Sequence, residues 1–226
     1  MQENLSIIIA GASGLVGQAT LLEALKSDSI RCVYSVSRSE IEIQHPKLTQ
    51  WIDPELTPPA LITSLPQPTV GIIALGTTIK KAGSKDKLYA IDVTLVIKVA
   101  KQMQQLGVEH IIAVSCLGAS TKAASHYLRC KGEMEQAIQQ LNFLNTTFMQ
   151  PGPLAGQRKE TRKDEKILQG VMRIINPLMV GFLANYKPIK ASEVAQAIMN
   201  LATKENSVME KKTTRVNSAQ MLTLNK

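Results

Sequence analysis

A glycine-rich turn set between an apolar run and a helical pattern constrains this chain more than any other feature. Leu5 to Ala10 reads Leu-Ser-Ile-Ile-Ile-Ala, short and rich in β-branched residues, the pattern of a strand buried on both faces. Gly11-Ala12-Ser13-Gly14-Leu15-Val16-Gly17 follows at once. Leu15 to Lys26 then has helical spacing, with Leu15, Ala19, Leu22 and Leu25 sharing a face and Glu23 and Lys26 lying away from it. Glycines at such a junction have separate uses: a tight turn, a close approach of backbone to a pyrophosphate, and close packing of helix on strand. The free N–H groups and positive dipole end of the helix then favour phosphate. Gly11, Ser13, Gly14, Leu15, Val16 and Gly17 are therefore expected around the pyrophosphate of a dinucleotide. The spacing is GxxGxxG rather than GxGxxG, which points to the dehydrogenase/reductase branch of such folds.

The rest of the chain repeats the alternation. Strands are expected at Arg31 to Val36, Thr49 to Ile52, Val70 to Leu75, Glu109 to Ser115 and Leu144 to Met149, the last closed by Pro151-Gly152-Pro153. Helices are expected at Lys87 to Leu106, ending at Gly107, and at Tyr127 to Leu141. Five of the ten prolines lie between Pro54 and Pro68, so that stretch reads as a loop with a helical turn at its centre. Strands alternating with helices predict an α/β doubly wound parallel sheet, a Rossmann fold, in one domain over residues 1–226. Beyond Pro153 the alternation weakens. Gln157 to Lys166 is polar and highly charged; its cluster of Arg158, Lys159, Arg162 and Lys163, interleaved with Glu160, Asp164 and Glu165, reads as a solvated helix face. Ile167 to Ala184 is more apolar and is interrupted by Pro177 and Gly181, and its Leu178 to Ala184 stretch suits a pocket wall, a lid or a dimer contact. Ala191 to Thr203 reads as an amphipathic helix and Thr213 to Val216 as a late strand. Residues 157–226 are expected to contribute the substrate pocket.

The second strand ends Ser35-Val36-Ser37-Arg38-Ser39, with no carboxylate before Glu40. An acidic residue there would grip a ribose 2′-hydroxyl, whereas an arginine suits a 2′-phosphate through paired hydrogen bonds. Arg38 thus favours NADP(H) over NAD(H), with Ser37 or Ser39 as further donors. Asp53, after the third strand, is placed to cap the adenine. Tyr127 and Lys131 stand four apart and share a helical face. A phenol titrates near pH ~10, and a neighbouring ammonium favours its phenolate and brings it toward working pH. Tyr127 can then pass a proton to a carbonyl oxygen. Ser115, at the C-terminal end of the fifth strand, is positioned to hydrogen-bond the same oxygen. Tyr186 and Lys190 have the same spacing, but Pro188 between them opposes a regular helix.

Composition narrows the class. Hydrophobic residues make up 44% and charged residues 19%, an ordinary globular balance. No stretch approaches a membrane span, and Met1-Gln2-Glu3-Asn4 lacks the basic start of a signal peptide, so a cytoplasmic protein is expected. Cys32, Cys116 and Cys130 form neither a disulfide framework nor a zinc cluster, and His45, His110 and His126 are scattered, so no metal is expected. The net charge of +8 comes without a nucleic-acid recognition motif, so no nucleic acid is expected, and it serves equally to attract a phosphate-bearing cofactor. Cys116 is either a redox-sensitive thiol or a buried structural one.

Taken in order, Gly11 to Gly17, Leu75-Gly76-Thr77-Thr78, Lys81-Ala82-Gly83-Ser84, Tyr127-Leu128-Arg129-Cys130-Lys131-Gly132-Glu133 and Gln150-Pro151-Gly152-Pro153-Leu154 resemble the atypical short-chain dehydrogenase/reductases related to the mammalian Tat-interacting oxidoreductase and its bacterial homologues. The likeness spans roughly residues 5–160. It implies an NADPH-binding Rossmann fold in which Gly11, Gly14 and Gly17 take the pyrophosphate turn, Ser13 touches a phosphate, and Arg38 stands after the second strand. Leu75, Gly76 and Thr77 would line the cofactor, and Pro151 and Gly152 would flank the nicotinamide. Ser115, Tyr127 and Lys131 match the catalytic triad, Lys131 also reaching the nicotinamide ribose. The asparagine that other members add has no secure counterpart; Asp92 lies in the comparable helix.

Three functions remain open at this point. The first is an NADPH-dependent oxidoreductase that reduces a small carbonyl substrate, with Tyr127 as proton donor. The second is a non-catalytic NADPH-sensing or binding protein. The third is an epimerase or dehydratase on a nucleotide-linked sugar, which usually needs a larger C-terminal substrate domain. A homodimer is compatible with all three.

Overall fold

The computed structural model describes residues 5–59, 65–155, 188–204 and 211–226. Seven parallel strands form the main sheet: β1 (Leu5–Ala10), β2 (Ile30–Ser37), β3 (Leu48–Ile52), β4 (Val70–Ile73), β5 (His110–Val114), β6 (Asn145–Gln150) and β9 (Lys212–Asn217). Their order across the sheet is β3-β2-β1-β4-β5-β6-β9. This is the doubly wound arrangement expected from the sequence, extended by a seventh strand. Two short strands, β7 (Leu154–Ala155) and β8 (Ile189–Lys190), pair in parallel as a separate ribbon.

The central strand shows why the fold needs helices on both faces. Ile7, Ile8, Ile9 and Ala10 are all fully buried. Successive side chains point to opposite faces of a strand. Ile7 and Ile9 pack into a core with α1 (Leu15–Lys26) and α6 (Ala191–Ala202). Ile8 and Ala10 pack into a second core with α4 (Val96–Gln105) and α5 (His126–Gln140). No helix among the described residues is long and apolar enough to cross a membrane.

Helix α1 turns a different face inward from the one its leucines suggest. Val16, Gly17, Thr20, Leu21, Ala24 and Leu25 are buried, whereas Leu15 and Leu22 are 47% and 42% exposed. Gly17 decides this. Its missing side chain lets the helix rest on the Gly11 carbonyl oxygen, which a Cβ would approach to 2.1 Å. With residue 17 against the turn, residues 20, 21 and 24 face the sheet.

The helix expected over 87–106 is not uniform either. It is built as α3 (Lys85–Tyr89), a π-helical segment (Ala90–Leu95) and α4. The wider turn brings Asp92 and Val93 inward together. The motif Lys81-Ala82-Gly83-Ser84 is a helix junction: Gly83, at φ +85°, closes the short α2 (Ile79–Ala82), and the Ser84 hydroxyl accepts from the Lys87 N–H to open α3. The late strand and the helix at Ala191 appear as expected, and α7 (Ser218–Leu224) follows β9. The polar run 157–166, the apolar run 167–184 and Tyr186 lie outside the described residues, as does the centre of the proline-rich loop.

One core residue gives the fold a pH signature. His110 opens β5, is 7% exposed, and pairs its Nε2 with Thr147 Oγ1 at 3.0 Å. Burial pushes its pKa down to about 4. Between that value and the ordinary ~6.5 the unfolded chain binds a proton that the folded chain refuses, so stability rises with pH across the window and is lost as pH falls through it. The expected loss from pH 7 to pH 4 is on the order of 3 kcal/mol. Urea unfolding at both pH values should show it, and His110→Gln should remove most of that part of the slope.

A dinucleotide turn facing a tyrosine, lysine and serine

The sites foreseen from the sequence all lie at or beyond the C-terminal ends of the parallel strands, where such sheets bind ligands. The order of the sheet reverses between β1 and β4, and the two turns that leave these strands are in backbone contact. Gly11 has φ +92°, and a Cβ there would stand 2.7 Å from the carbonyl carbon and oxygen of Ala74. The Gly14 N–H donates to the Gly11 carbonyl at 2.9 Å, which closes the turn. Gly14 then caps α1 without a side chain, and the first turn of α1 carries no acidic residue. The N–H groups of Leu15, Val16 and Gly17 have no intrahelical acceptor and no capping side chain. A cradle of bare N–H groups with no room for Cβ atoms fits a pyrophosphate. Ser13 is exposed beside it.

Arg38 is exposed immediately after β2. The Ser37 hydroxyl is already spent, donating to the Ser39 carbonyl at 2.7 Å, so it is not the additional donor considered above. Asp53 follows β3, and its N–H donates to the Ser37 carbonyl at 2.9 Å. Its Oδ1 accepts from the N–H groups of Glu55 (2.9 Å) and Thr57 (3.0 Å), which makes the side chain a brace for its own loop.

Beyond β4, Gly76 is exposed and Leu75 and Thr77 are half-buried. The Thr77 N–H donates to Asp92 Oδ2 at 2.8 Å. Lys131 Nζ lies 2.8 Å from Asp92 Oδ1, with the two side chains 4% and 0% exposed. This contact is an ion pair, angled too obliquely to be a hydrogen bond. A Cβ on Gly76 would come within 3.2 Å of Asp92 Oδ1 and 3.3 Å of Lys131 Nζ, so the glycine leaves the pair open on that side.

Tyr127 is 37% exposed, one turn before Lys131 on α5. Its hydroxyl lies within interaction range of the Cys116 thiol. Burial pushes the Cys116 thiol up to about 11, against the pull of the Lys131 ammonium and of the Tyr127 hydroxyl. Of the two readings of Cys116, a protonated thiol within the site fits better than a reactive thiolate.

Ser115 is placed as foreseen but is otherwise engaged. It is 4% exposed, and its hydroxyl donates to Glu135 Oε1 at 2.6 Å. Glu135, 2% exposed, also accepts from Gln150 Nε2 at 2.8 Å and from Arg215 Nε at 2.8 Å. The Arg215 guanidinium lies over the Phe148 ring, 5.4 Å from its centroid. Pro151 and Gly152 follow β6 next to this cluster. The Leu117 N–H donates to the Pro151 carbonyl at 2.9 Å, and the Gly152 N–H donates to Ser218 Oγ at 2.8 Å.

Glu135, Gln150 and Arg215 were not singled out from the sequence. Glu135 carried a signal, since it continues the four-residue spacing of Tyr127 and Lys131. Arg215 carried none, because its partner is 80 residues away.

The fold and turn together define an NAD(P)-binding Rossmann protein with an oxidoreductase-like fold. The family model described as NAD(P)H-binding matches residues 11–176, and the chain belongs to that family. Among its relatives, "Protein FMP52-1, mitochondrial" of Scheffersomyces stipitis is 32% identical over 202 residues, covering 88% of each chain. "Protein FMP52, mitochondrial" of Saccharomyces cerevisiae is 31% identical over 168 residues, covering 69% of this chain and 68% of that one. Among solved structures, MoeE5 in complex with UDP-glucose and NAD superposes with a TM-score of 0.65 at 14% identity, over 96% of this chain and 80% of that one. The oxidoreductase ylbE from Lactococcus lactis gives 0.62 at 17% identity, over 91% and 88%. At such identities these structures establish the fold alone.

Two expectations change. The relatives carry the name FMP52 rather than Tat-interacting oxidoreductase, so the resemblance stands at the level of the NAD(P)-binding Rossmann class. The cytoplasmic expectation is overturned, because the fungal relatives are named mitochondrial. It rested on the first few residues and on bulk composition, and neither reports where a folded domain resides.

The Glu135 cluster yields a stability test. In Glu135→Leu, Ser115 and Gln150 lose a buried acceptor, while the half-exposed Arg215 can turn to water. The expected cost is about 2–4 kcal/mol by urea unfolding. An unchanged midpoint would show that the carboxylate does not hold the cluster.

Proposed function

We propose that this chain is an NADPH-dependent oxidoreductase of the atypical short-chain type that reduces a small carbonyl substrate. The observation that carries the reading is the setting of Tyr127 and Lys131. They share one face of α5, with Lys131 buried against Gly76 of the turn that meets the phosphate cradle. Gly11, Gly14 and Gly17, with the N–H groups of Leu15 and Val16, would hold the pyrophosphate, and Ser13 would add a hydroxyl. Arg38 would take a 2′-phosphate, and Asp53 would stand by the adenine. Leu75, Gly76, Thr77, Pro151 and Gly152 would line the nicotinamide half. When bound, the cofactor supplies the hydride.

The chain's own residues account for the proton. The half-exposed Tyr127 hydroxyl stands beside the Cys116 thiol, where it would donate to a substrate oxygen. Lys131 stands one turn away on the same face, its ammonium paired with Asp92. Ser115, whose proton goes to Glu135, keeps lone pairs that can accept from the hydroxyl of the alcohol once it has formed. Residues 157–226 would shape the pocket for the substrate.

A second reading, a protein that binds NADPH without turnover, draws support from the Ser115 hydroxyl. Its proton is committed to Glu135 rather than directed at a ligand. Consumption of NADPH separates the two.

Binding is tested by nicotinamide fluorescence with NADPH and NADH. Arg38→Glu should weaken NADPH binding about 10-fold to 100-fold and leave NADH binding nearly unchanged. Equal loss for both nucleotides would remove Arg38 from 2′-phosphate recognition. In a carbonyl screen followed by NADPH oxidation, Tyr127→Phe should lower turnover at least about 100-fold while NADPH binding persists. Turnover that survives the substitution would exclude Tyr127 as the proton donor.

A further inference from the structure

We propose that Asp92 is a positioning residue acting through Lys131: it cancels the charge of the ammonium and ties it to the Gly76–Thr77 turn, so the pair, not a lone cation, sets the acidity of Tyr127. The inference takes its catalytic meaning from the oxidoreductase reading above.

Three observations carry it. Asp92 is wholly buried, and its two oxygens are divided between the Thr77 N–H at 2.8 Å and Lys131 Nζ at 2.8 Å. An asparagine in its place could keep the first contact but would leave Lys131 as a buried cation without a counter-charge. The residue stands in the π-helical segment, whose wider turn brings it inward at the level of Lys131. Finally, Gly76 lies directly against the pair, where any side chain would crowd both charges.

The titratable and charged groups packed about Tyr127 and Lys131 come from several elements. They are Asp92 of the π-helical segment, Cys116 beyond β5 and Glu135 of α5 itself, while Tyr89, His126, Arg129, Cys130 and Glu133 interact among themselves close by. Among them Asp92 forms the ion pair with Lys131. An unpaired ammonium within about 4–6 Å of an acid lowers its pKa by about one to three pH units, and the Asp92 carboxylate, 2.8 Å from Lys131 Nζ, opposes that pull.

The test is the titration of Tyr127 in the full-length protein without cofactor. Tyrosine labelled with ¹³C at Cζ gives one signal for each of the four tyrosines, and Tyr127→Phe identifies the relevant one. Asp92→Asn is expected to lower the Tyr127 midpoint by about one pH unit or more. The double variant Asp92→Asn/Lys131→Met is expected to lose that downward shift. Asp92→Ser, smaller and also neutral, is read alongside with the same expectation, and circular dichroism confirms that each variant is folded. A midpoint unmoved in the folded neutral variants would overturn the inference, as would an equal drop without Lys131. The titration uses neither cofactor nor substrate. Absence of NADPH consumption would therefore end the oxidoreductase reading separately, and a failed titration would leave that reading intact.

Discussion

No side chain separates α5 from the loop that precedes it. A Cβ on Gly132 would stand 2.2 Å from the carbonyl carbon of Ser120 and 2.4 Å from the Thr121 nitrogen. That backbone contact holds the helix at one depth and one rotation, and the rest of the site is measured from it. Tyr127, Lys131 and Glu135 follow at four-residue intervals on a single face. Each meets a group from a different element: Cys116 beyond β5, Asp92 of the π-helical segment, and the set of Ser115, Gln150 and Arg215 from around β5, β6 and β9. Buried charges are tolerated only when paired or fully hydrogen-bonded. The two carboxylates therefore act as pins joining α5 to the sheet and to the helix beside it.

The cofactor side obeys a second backbone constraint. Gly11 lies against Ala74 and Gly17 against Gly11, so the turns leaving β1 and β4 and the start of α1 are locked together without intervening side chains. What remains at the surface of that junction is peptide N–H, which suits an anion. The exposed Arg38 lies one strand further along the same edge. The chain's net charge of +8 favours the approach of an anionic cofactor in general, an effect that salt screens.

Much of this was legible in the sequence, and where it was not the reasons are physical. The parallel sheet follows from the fully apolar β1 and the strand–helix alternation, because a strand buried on both faces needs helices on both sides. The glycine turn, Arg38, Tyr127 and Lys131 were legible because local spacing and neighbouring elements place them. The inward face of α1 was misread because its leucines outweigh a glycine on any hydrophobic count, although packing at the turn depends on the glycine. The interruption in the helix over 85–105 was not legible, since no proline or glycine marks the π-helical segment. Nor was the cluster around Glu135, whose partners are brought together by the pairing of β5, β6 and β9 and not by proximity in the chain. The compartment was misjudged because it is not a property of the folded domain.

The two hydroxyls of the site are held with unequal strength, and this bears on how they divide the work. Ser115 donates to a carboxylate at 2.6 Å, a charge-assisted bond of the stronger kind. Tyr127 stands beside a protonated thiol, among the weakest acceptors a protein has. A carbonyl oxygen entering between them would compete easily for the tyrosine proton and poorly for that of the serine. The serine therefore stays as a fixed oxygen, with lone pairs able to accept from an alcohol or from the tyrosine itself. The tyrosine, 37% exposed, is the hydroxyl that a substrate can reach. In the proposed reaction the proton would thus be assigned by the groups behind the two residues as much as by the residues themselves, which gives Cys116 and Glu135 a part in it without contact to a substrate.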